Sequence, residues 1–77
     1  MGSELAGFER AFIQAKKRIE YEYAEPYLKP VANGAMESET ELRERVRAAI
    51  EELPERDRWQ MWADKREAYR ELRLAFL

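Results

Sequence analysis

The residues of this chain whose types suit catalysis are carboxylates in close pairs. Glu20 and Glu22 form one pair, and Glu51 and Glu52 form another. Paired carboxylates are used for general acid and base catalysis when they converge on one substrate. Residues one or two positions apart on a helix do not face each other, so we expect these carboxylates to be solvated surface groups.

Two hydroxyl side chains, Ser38 and Thr40, are the next candidates for chemistry, but the chain contains no histidine and no cysteine. A serine or threonine nucleophile then lacks its usual base, and zinc lacks its usual nitrogen and sulfur ligands. No segment has the aspartate spacing and glycine of a calcium loop or the glycines of a phosphate-binding loop. The sequence therefore predicts no catalytic, cofactor or metal site, and a chain that is not an enzyme.

The charge balance argues against a nucleic-acid ligand. Fourteen basic residues against 16 acidic ones give a net charge of −2. Residues 1–35 carry five of each sign, and residues 36–77 carry nine basic and 11 acidic side chains. Since neither half has a basic excess, we expect no nucleic-acid partner.

The hydropathy of the chain predicts a soluble protein. No apolar run is long enough to cross a bilayer, and no charged segment followed by an apolar one marks a signal peptide. We therefore expect no membrane contact, with a cytoplasmic location if the protein is natural and a soluble recombinant product otherwise.

Five residues are candidates for binding a protein partner. Arg66, Arg70 and Arg73 are spaced to form one stripe on the last predicted helix, and Trp59 lies at the edge of that helix's apolar face. Tyr21 flanks the apolar stripe of the first helix in the same way. Tryptophan, tyrosine and arginine dominate the energetics of protein interfaces, so an exposed group of these residues would form a recognition surface.

A plainer interpretation exists for the same residues. Glu67 and Glu71 interleave with the arginines and would balance them on a solvated surface. The aromatic residues of the last helix have helical spacing, which favours packing in the core over an exposed binding site. These aromatic residues are Trp62, Tyr69 and Phe76; Trp59 is the exception, because it lies off the main stripe and is expected to be partly exposed.

The first helix is predicted over residues 3–24, because apolar residues recur there at steps of three and four. They are Leu5, Phe8, Phe12, Ala15, Ile19 and Tyr23. Pro26 disfavours helical geometry at the preceding residue and suits the first position of a new turn. Residues 26–33 are thus predicted to be a short helix or an irregular turn, which Asn33-Gly34 ends.

The second helix is predicted over residues 39–53. Ser38 and Glu41 have the spacing of a capping box, and Thr40 is a rival N-cap. Glu39 and Glu41 stand four residues before Arg43 and Arg45, the favourable order for ion pairs. The predicted buried stripe of this helix consists of Leu42, Val46, Ala49, Ile50 and Leu53.

The third helix is predicted over residues 54–76. Pro54 suits its first position, and the acidic Glu55 and Asp57 suit its first turn. The predicted apolar face consists of Met61, Trp62, Ala68, Tyr69, Leu72, Ala75 and Phe76, and Lys65 interrupts it.

The whole pattern predicts an all-α fold in one domain, residues 1–77. Its three main helices and short fourth segment would pack up and down as a small bundle. Handedness and self-association stay open.

The chain resembles de novo designed helical bundles as a class. The residues that carry the resemblance are the Met-Gly-Ser start, the helix-start signals at Ser38 and Pro54, and the dense pairing of glutamate with arginine, together with the absence of cysteine and histidine. Agreement between caps, pattern and propensity is the aim of such designs. The resemblance implies a stable scaffold without an evolved ligand, which requires no partner.

Two other functions remain as hypotheses. One is a natural interaction module, such as a small adaptor or a phage-type inhibitor, that binds a protein through the aromatic and arginine residues. The other is nucleic-acid binding through the arginine stripe, which would be steeply salt-dependent.

Overall fold

A computed structural model describes the backbone of residues 2–31 and 36–77, and the side chains in those ranges from residue 6 onward. Three α-helices run over Gly2–Ala24 (α1), Glu39–Glu51 (α2) and Glu55–Ala75 (α3), and a single 3₁₀ turn covers Glu25–Tyr27. The predicted all-α class with three main helices and a short additional segment is confirmed. The Asn33-Gly34 stop signal lies outside the described residues.

The segment after α1 is a turn rather than a helix over most of its described length. Pro26 lies at the start of the 3₁₀ turn, as its fixed φ favours. Leu28 is already extended, with φ −71° and ψ 131°, and the helical alternative for the whole of residues 26–33 is therefore wrong for residues 28–31. Pro30 disfavours helical geometry in Lys29 and so opposes a helix that continues through this segment.

The start of α2 follows the predicted capping motif. The Ser38 hydroxyl oxygen accepts a hydrogen bond from the Glu41 backbone N–H at 3.1 Å. Glu39 and Arg43 form the predicted ion pair, with 3.6 Å between Oε1 and Nη2. The expected pairing of Arg45 with Glu41 is wrong, because Arg45 turns back to Glu37 instead.

The turn between α2 and α3 is longer than predicted, because residues 52–54 lie outside both helices. The second helix ends at Glu51, and Leu53, expected inside it, is buried in the turn. Pro54 is the N-cap of α3 and not its first helical residue, since its ψ of 147° is extended. Its carbonyl oxygen accepts the first hydrogen bonds of α3, from the Asp57 and Arg58 backbone N–H groups.

Helices α1 and α3 pack antiparallel along most of their lengths. At one end Phe8 contacts Phe76 edge to face, with ring centroids 5.9 Å apart. At the other end the Tyr23 hydroxyl donates a hydrogen bond to the Asp64 carboxylate. The sequence-predicted up-down packing is realised in this pair.

The core is small and lies where α1, the α2–α3 turn and α3 meet. Ile19, Leu53 and Met61 form its centre, with Tyr23, Ile50 and Ala68 packed around them. The buried residues are Ala15, Ile19, Ala24, Ala49, Leu53 and Met61. Half of them are alanines, so little apolar area is enclosed.

The molecule is open and flat. Helices α2 and α3 both pack on α1 and make few contacts with each other. The Cα envelope measures 45 × 31 × 13 Å and the radius of gyration is 14.8 Å, against about 11.5 Å for a compact chain of this length. The accessible surface of 6526 Å² exceeds the roughly 4,900 Å² expected for a compact monomer of this mass. Much apolar surface therefore remains open to contact.

Candidate interaction surface

The predicted partner-binding residues of α3 lie on one exposed face. We call Trp59, Trp62, Arg66, Arg70 and Arg73 the aromatic–arginine face. Steps of three and four residues place their side chains in one stripe along the helix. Trp59 is 66% exposed and Trp62 is 57% exposed, and the three arginines are exposed as well.

The guanidinium group of Arg66 stacks on Trp62 within this face. Its central carbon lies 5.4 Å from the centre of the indole ring, inside the range of a cation–π interaction. Among the described residues, none of the three arginines of this face has a carboxylate within ion-pair distance.

The prediction that Trp62 packs in the core is wrong. The face of α3 that meets α1 is centred on Met61, and Trp62 points about 100° away from it. Tyr69 and Phe76 lie on the same flank as Trp62, but the rings of α1 partly cover them. Phe12 contacts Tyr69 with ring centroids 5.0 Å apart. Since α2 diverges from α3, nothing comparable covers the flank at Trp62 in the described structure.

Tyr21 lies apart from the aromatic–arginine face. It is 40% exposed and lines a groove between α1 and α2, whereas neither tryptophan lines that groove. Four of the five candidate residues therefore lie together on α3, next to Trp62. The fifth, Tyr21, lies on a different surface.

The groove between α1 and α2 has a volume of about 890 Å³. It runs along α2 from Glu39 to Glu51 and along α1 from Ile13 to Tyr21, with Lys65 of α3 at one side. Leu42, Val46 and Ile50 of α2 and Ile13 of α1 form its apolar surface, and Ile13 is 47% exposed. No sequence motif marked this groove, because it depends on how α2 lies against α1.

A pair of polar contacts fixes the junction of α1 and α3. Lys65 Nζ lies 2.5 Å from Glu20 Oε2, so the lysine that interrupts the apolar face of α3 reaches across to α1. On the other flank Asp64 accepts from Tyr23 and, at 3.1 Å, from the Gln60 side-chain amide. The hydrogen bond to Asp64, with burial and the negative charge of that carboxylate, raises the pKa of Tyr23 to about 12.

A second polar cluster fastens the segments on either side of residues 32–35 to α2. Arg45 makes two hydrogen bonds to the Glu37 carboxylate, one of them 2.8 Å from Nη2 to Oε1, and donates another to the Lys29 carbonyl oxygen. The hydrogen bond from Arg45 lowers the pKa of Glu37 below its ordinary value, against a smaller opposing effect of burial. The same bond raises the pKa of Arg45.

The residues considered for catalysis are helix caps, ion-pair partners or exposed surface groups in the structure. Ser38 caps α2, and Glu20 pairs with Lys65. Glu22, Glu51 and Glu52 are exposed. In the described ranges no three acidic side chains come close enough together to hold a metal ion, and none of the described helices has the length and apolar character of a membrane span.

A comparison with protein-family models finds no match to the chain, and comparisons with curated proteins and with solved structures find none either.

Proposed function

We propose that the chain is a non-catalytic interaction module that binds a protein partner through the aromatic–arginine face. The observation that carries the proposal is the exposure of two neighbouring tryptophans, Trp59 and Trp62, beside a row of arginines. Tryptophan and arginine are enriched at the energetic centres of protein interfaces. Exposed apolar surface rimmed by polar residues is typical of a binding site.

The open shape supports the same function. Neither tryptophan contributes to the small core around Ile19, Leu53 and Met61, so these side chains are available for contact. Excess accessible surface of roughly 1,600 Å² relative to a compact monomer is about twice the roughly 800 Å² that one partner buries in a standard protein–protein interface. A partner would supply the apolar contacts that the chain itself lacks.

A scaffold without a ligand, as in the designed bundles that the chain resembles, is the second candidate function. The Ser38 cap of α2 and the Glu39–Arg43 ion pair favour it, because locally consistent helix signals are what designers build in. The two exposed tryptophans give it less support, since designs avoid exposed large aromatic side chains that serve no function.

The test is affinity capture with matched variants. A tagged chain would be used to capture proteins from a lysate, and each retained protein would be quantified by mass spectrometry. The Trp59→Ala and Arg70→Glu variants remove contacts of the aromatic–arginine face. Arg10→Glu is the control, because Arg10 is exposed on α1 and lies outside this face.

We expect one protein to be retained by the wild type and by Arg10→Glu, and to fall at least tenfold with the other two variants. Equal retention by all four chains would contradict the proposal, and so would a lack of any specific partner. Steeply salt-dependent binding of a labelled oligonucleotide through the same residues would replace it with the nucleic-acid hypothesis.

A further inference from the structure

The groove between α1 and α2 has the apolar pattern that an amphipathic helix recognises. Leu42, Val46 and Ile50 are spaced by four residues and form one row along α2. Ile13 extends this apolar surface onto α1. Such a row accepts the side chains of a neighbouring helix, which lie at positions i, i+3, i+4 and i+7 of the bound segment.

The charge of the groove is opposite to that of the whole chain. Six basic side chains line it, although the chain carries a net charge of −2. They are Lys16, Lys17, Arg18, Arg43, Arg47 and Lys65.

Three acidic side chains also line the groove, and two of them are already paired. Glu20 pairs with Lys65, and Glu39 lies between Lys17 and Arg43 at 3.4 and 3.6 Å. The groove therefore presents a local excess of positive charge around an apolar strip. Complementary charge steers association and selects among partners of similar shape.

The length of the groove sets the length of its occupant. The groove follows α2 over all of its 13 residues, which is about 20 Å at 1.5 Å per residue. A helix of three to four turns, or roughly 13 residues, matches this length.

We propose that this groove binds an acidic amphipathic helix of a partner protein. Leucine-like side chains of that helix would pack on Leu42, Val46 and Ile50, and its glutamates or aspartates would face Arg43, Arg47 and Lys16. A second copy of the chain is a poorer match, because two copies of this groove facing each other would bring like charges together. This site is separate from the aromatic–arginine face and does not depend on the function proposed for that face.

The experiment uses two synthetic peptides of about 18 residues, each labelled with fluorescein. Both carry leucine at helical spacing. The acidic probe has glutamate at its charged positions, and the basic probe has lysine at the same positions. Binding to the purified full chain would be measured by fluorescence anisotropy at 50 mM and 500 mM NaCl. We expect the acidic probe to bind at least tenfold more tightly at low salt, and the preference to shrink at high salt.

Two charge-reversed double variants locate the site. Arg43→Glu with Arg47→Glu changes the groove and should weaken binding of the acidic probe at least tenfold. Arg10→Glu with Arg56→Glu changes the net charge by the same amount outside the groove and should leave binding within twofold of the wild type. All four arginines are exposed, so the helices should form in both variants, which circular dichroism would check.

Several results would overturn this proposal. Equal binding of the two probes, tighter binding of the basic probe, or no saturable binding of either would do so. Equal losses in the two double variants would show a net-charge effect instead of a site. A dimer that dissociates only in the groove variant would identify a second copy as the occupant, and groove-dependent binding of an oligonucleotide would identify nucleic acid. None of these results bears on Trp59→Ala in the capture experiment, so the two proposals can fail separately.

Discussion

At the scale of single residues, two hydrogen-bonded pairs connect distant parts of the chain. Tyr23 and Asp64 join α1 to α3, and Glu37 and Arg45 fasten the segment before α2 to that helix. Each pair makes the stability of the fold depend on pH, because folding favours one protonation state of Tyr23 and one of Glu37.

The Tyr23–Asp64 hydrogen bond should make the fold lose stability at high pH. The pKa of Tyr23 is raised from 10.0 to about 12 by this bond. A raised pKa means that the stabilisation is complete below pH 10, where the unfolded tyrosine is protonated, and is lost as the pH rises towards 12. We expect Tyr23→Phe to be less stable than the wild type by about 1–2 kcal/mol at pH 8, and the gap to shrink by pH 12. Denaturant unfolding across this range checks it, and parallel pH profiles would contradict it.

The Glu37–Arg45 pair should act in the acid range. Arg45 lowers the pKa of Glu37 below 4.5, so its stabilisation is present above the ordinary carboxyl pKa and is lost as the pH falls through the lowered value. Glu37→Gln should therefore be less stable than the wild type at pH 7, with a difference that narrows on acidification. Unfolding midpoints at pH 7, 5 and 3 measure this effect. A difference that does not change with pH would rule out a contribution from the charge of Glu37.

Gly7 shows what single-residue propensities leave out. Helix propensity explains only that a glycine costs about 1 kcal/mol relative to alanine inside a helix. In the structure, a Cβ atom at this position would lie 3.3 Å from the Phe76 ring. A methyl group at this position would therefore require the half-exposed Phe76 ring to shift. This contact between distant parts of the chain leaves no local signal in the sequence.

At the scale of the helices, local spacing predicts where each element lies but not which of its faces is covered. The Ser38 cap, the body of α1 and the two-helix arrangement after it follow from capping residues and from the 3.6-residue period. The exposure of Trp62 does not, because it depends on the divergence of α2 from α3. The groove that no motif predicted depends in the same way on tertiary packing, since it lies between α1 and α2.

Neighbouring residues on α3 provide a test of which face is buried. Met61 is 5% exposed and Trp62 is 57% exposed. Met61→Ala should cost about 2–4 kcal/mol of unfolding free energy, since it removes most of a side chain at the centre of the small core. Trp62→Ala removes a much larger side chain but should cost under about 1 kcal/mol, because surface substitutions have small effects.

Guanidinium unfolding of the two alanine variants checks the assignment. Thr40→Ala, at an exposed position of α2, is a control for the effect of substitution to alanine at the surface. A larger loss in Trp62→Ala than in Met61→Ala would mean that Trp62 is the buried residue, which would contradict the packing of α3 described above.

At the scale of the whole molecule, the open shape and the small core both indicate that the chain buries little apolar surface. In the described part of the chain no large side chain is completely enclosed, and the central apolar cluster contains three buried residues. A chain with so little buried area gains little from the hydrophobic effect to offset its conformational entropy. The exposed tryptophans and the open groove are the surfaces through which a partner would add the missing contacts.

The stability of the isolated chain tests this account most directly. Unfolding by guanidinium and by heat, followed by circular dichroism at two protein concentrations, separates an incomplete core from a self-sufficient scaffold. The account predicts a modest midpoint, below about 65 °C, as is typical of marginally stable domains. The midpoint should rise when the captured partner is added, since a ligand that binds only the folded state stabilises it. A midpoint above about 90 °C or beyond about 5 M guanidinium, the same at both concentrations, would contradict the account and favour the scaffold.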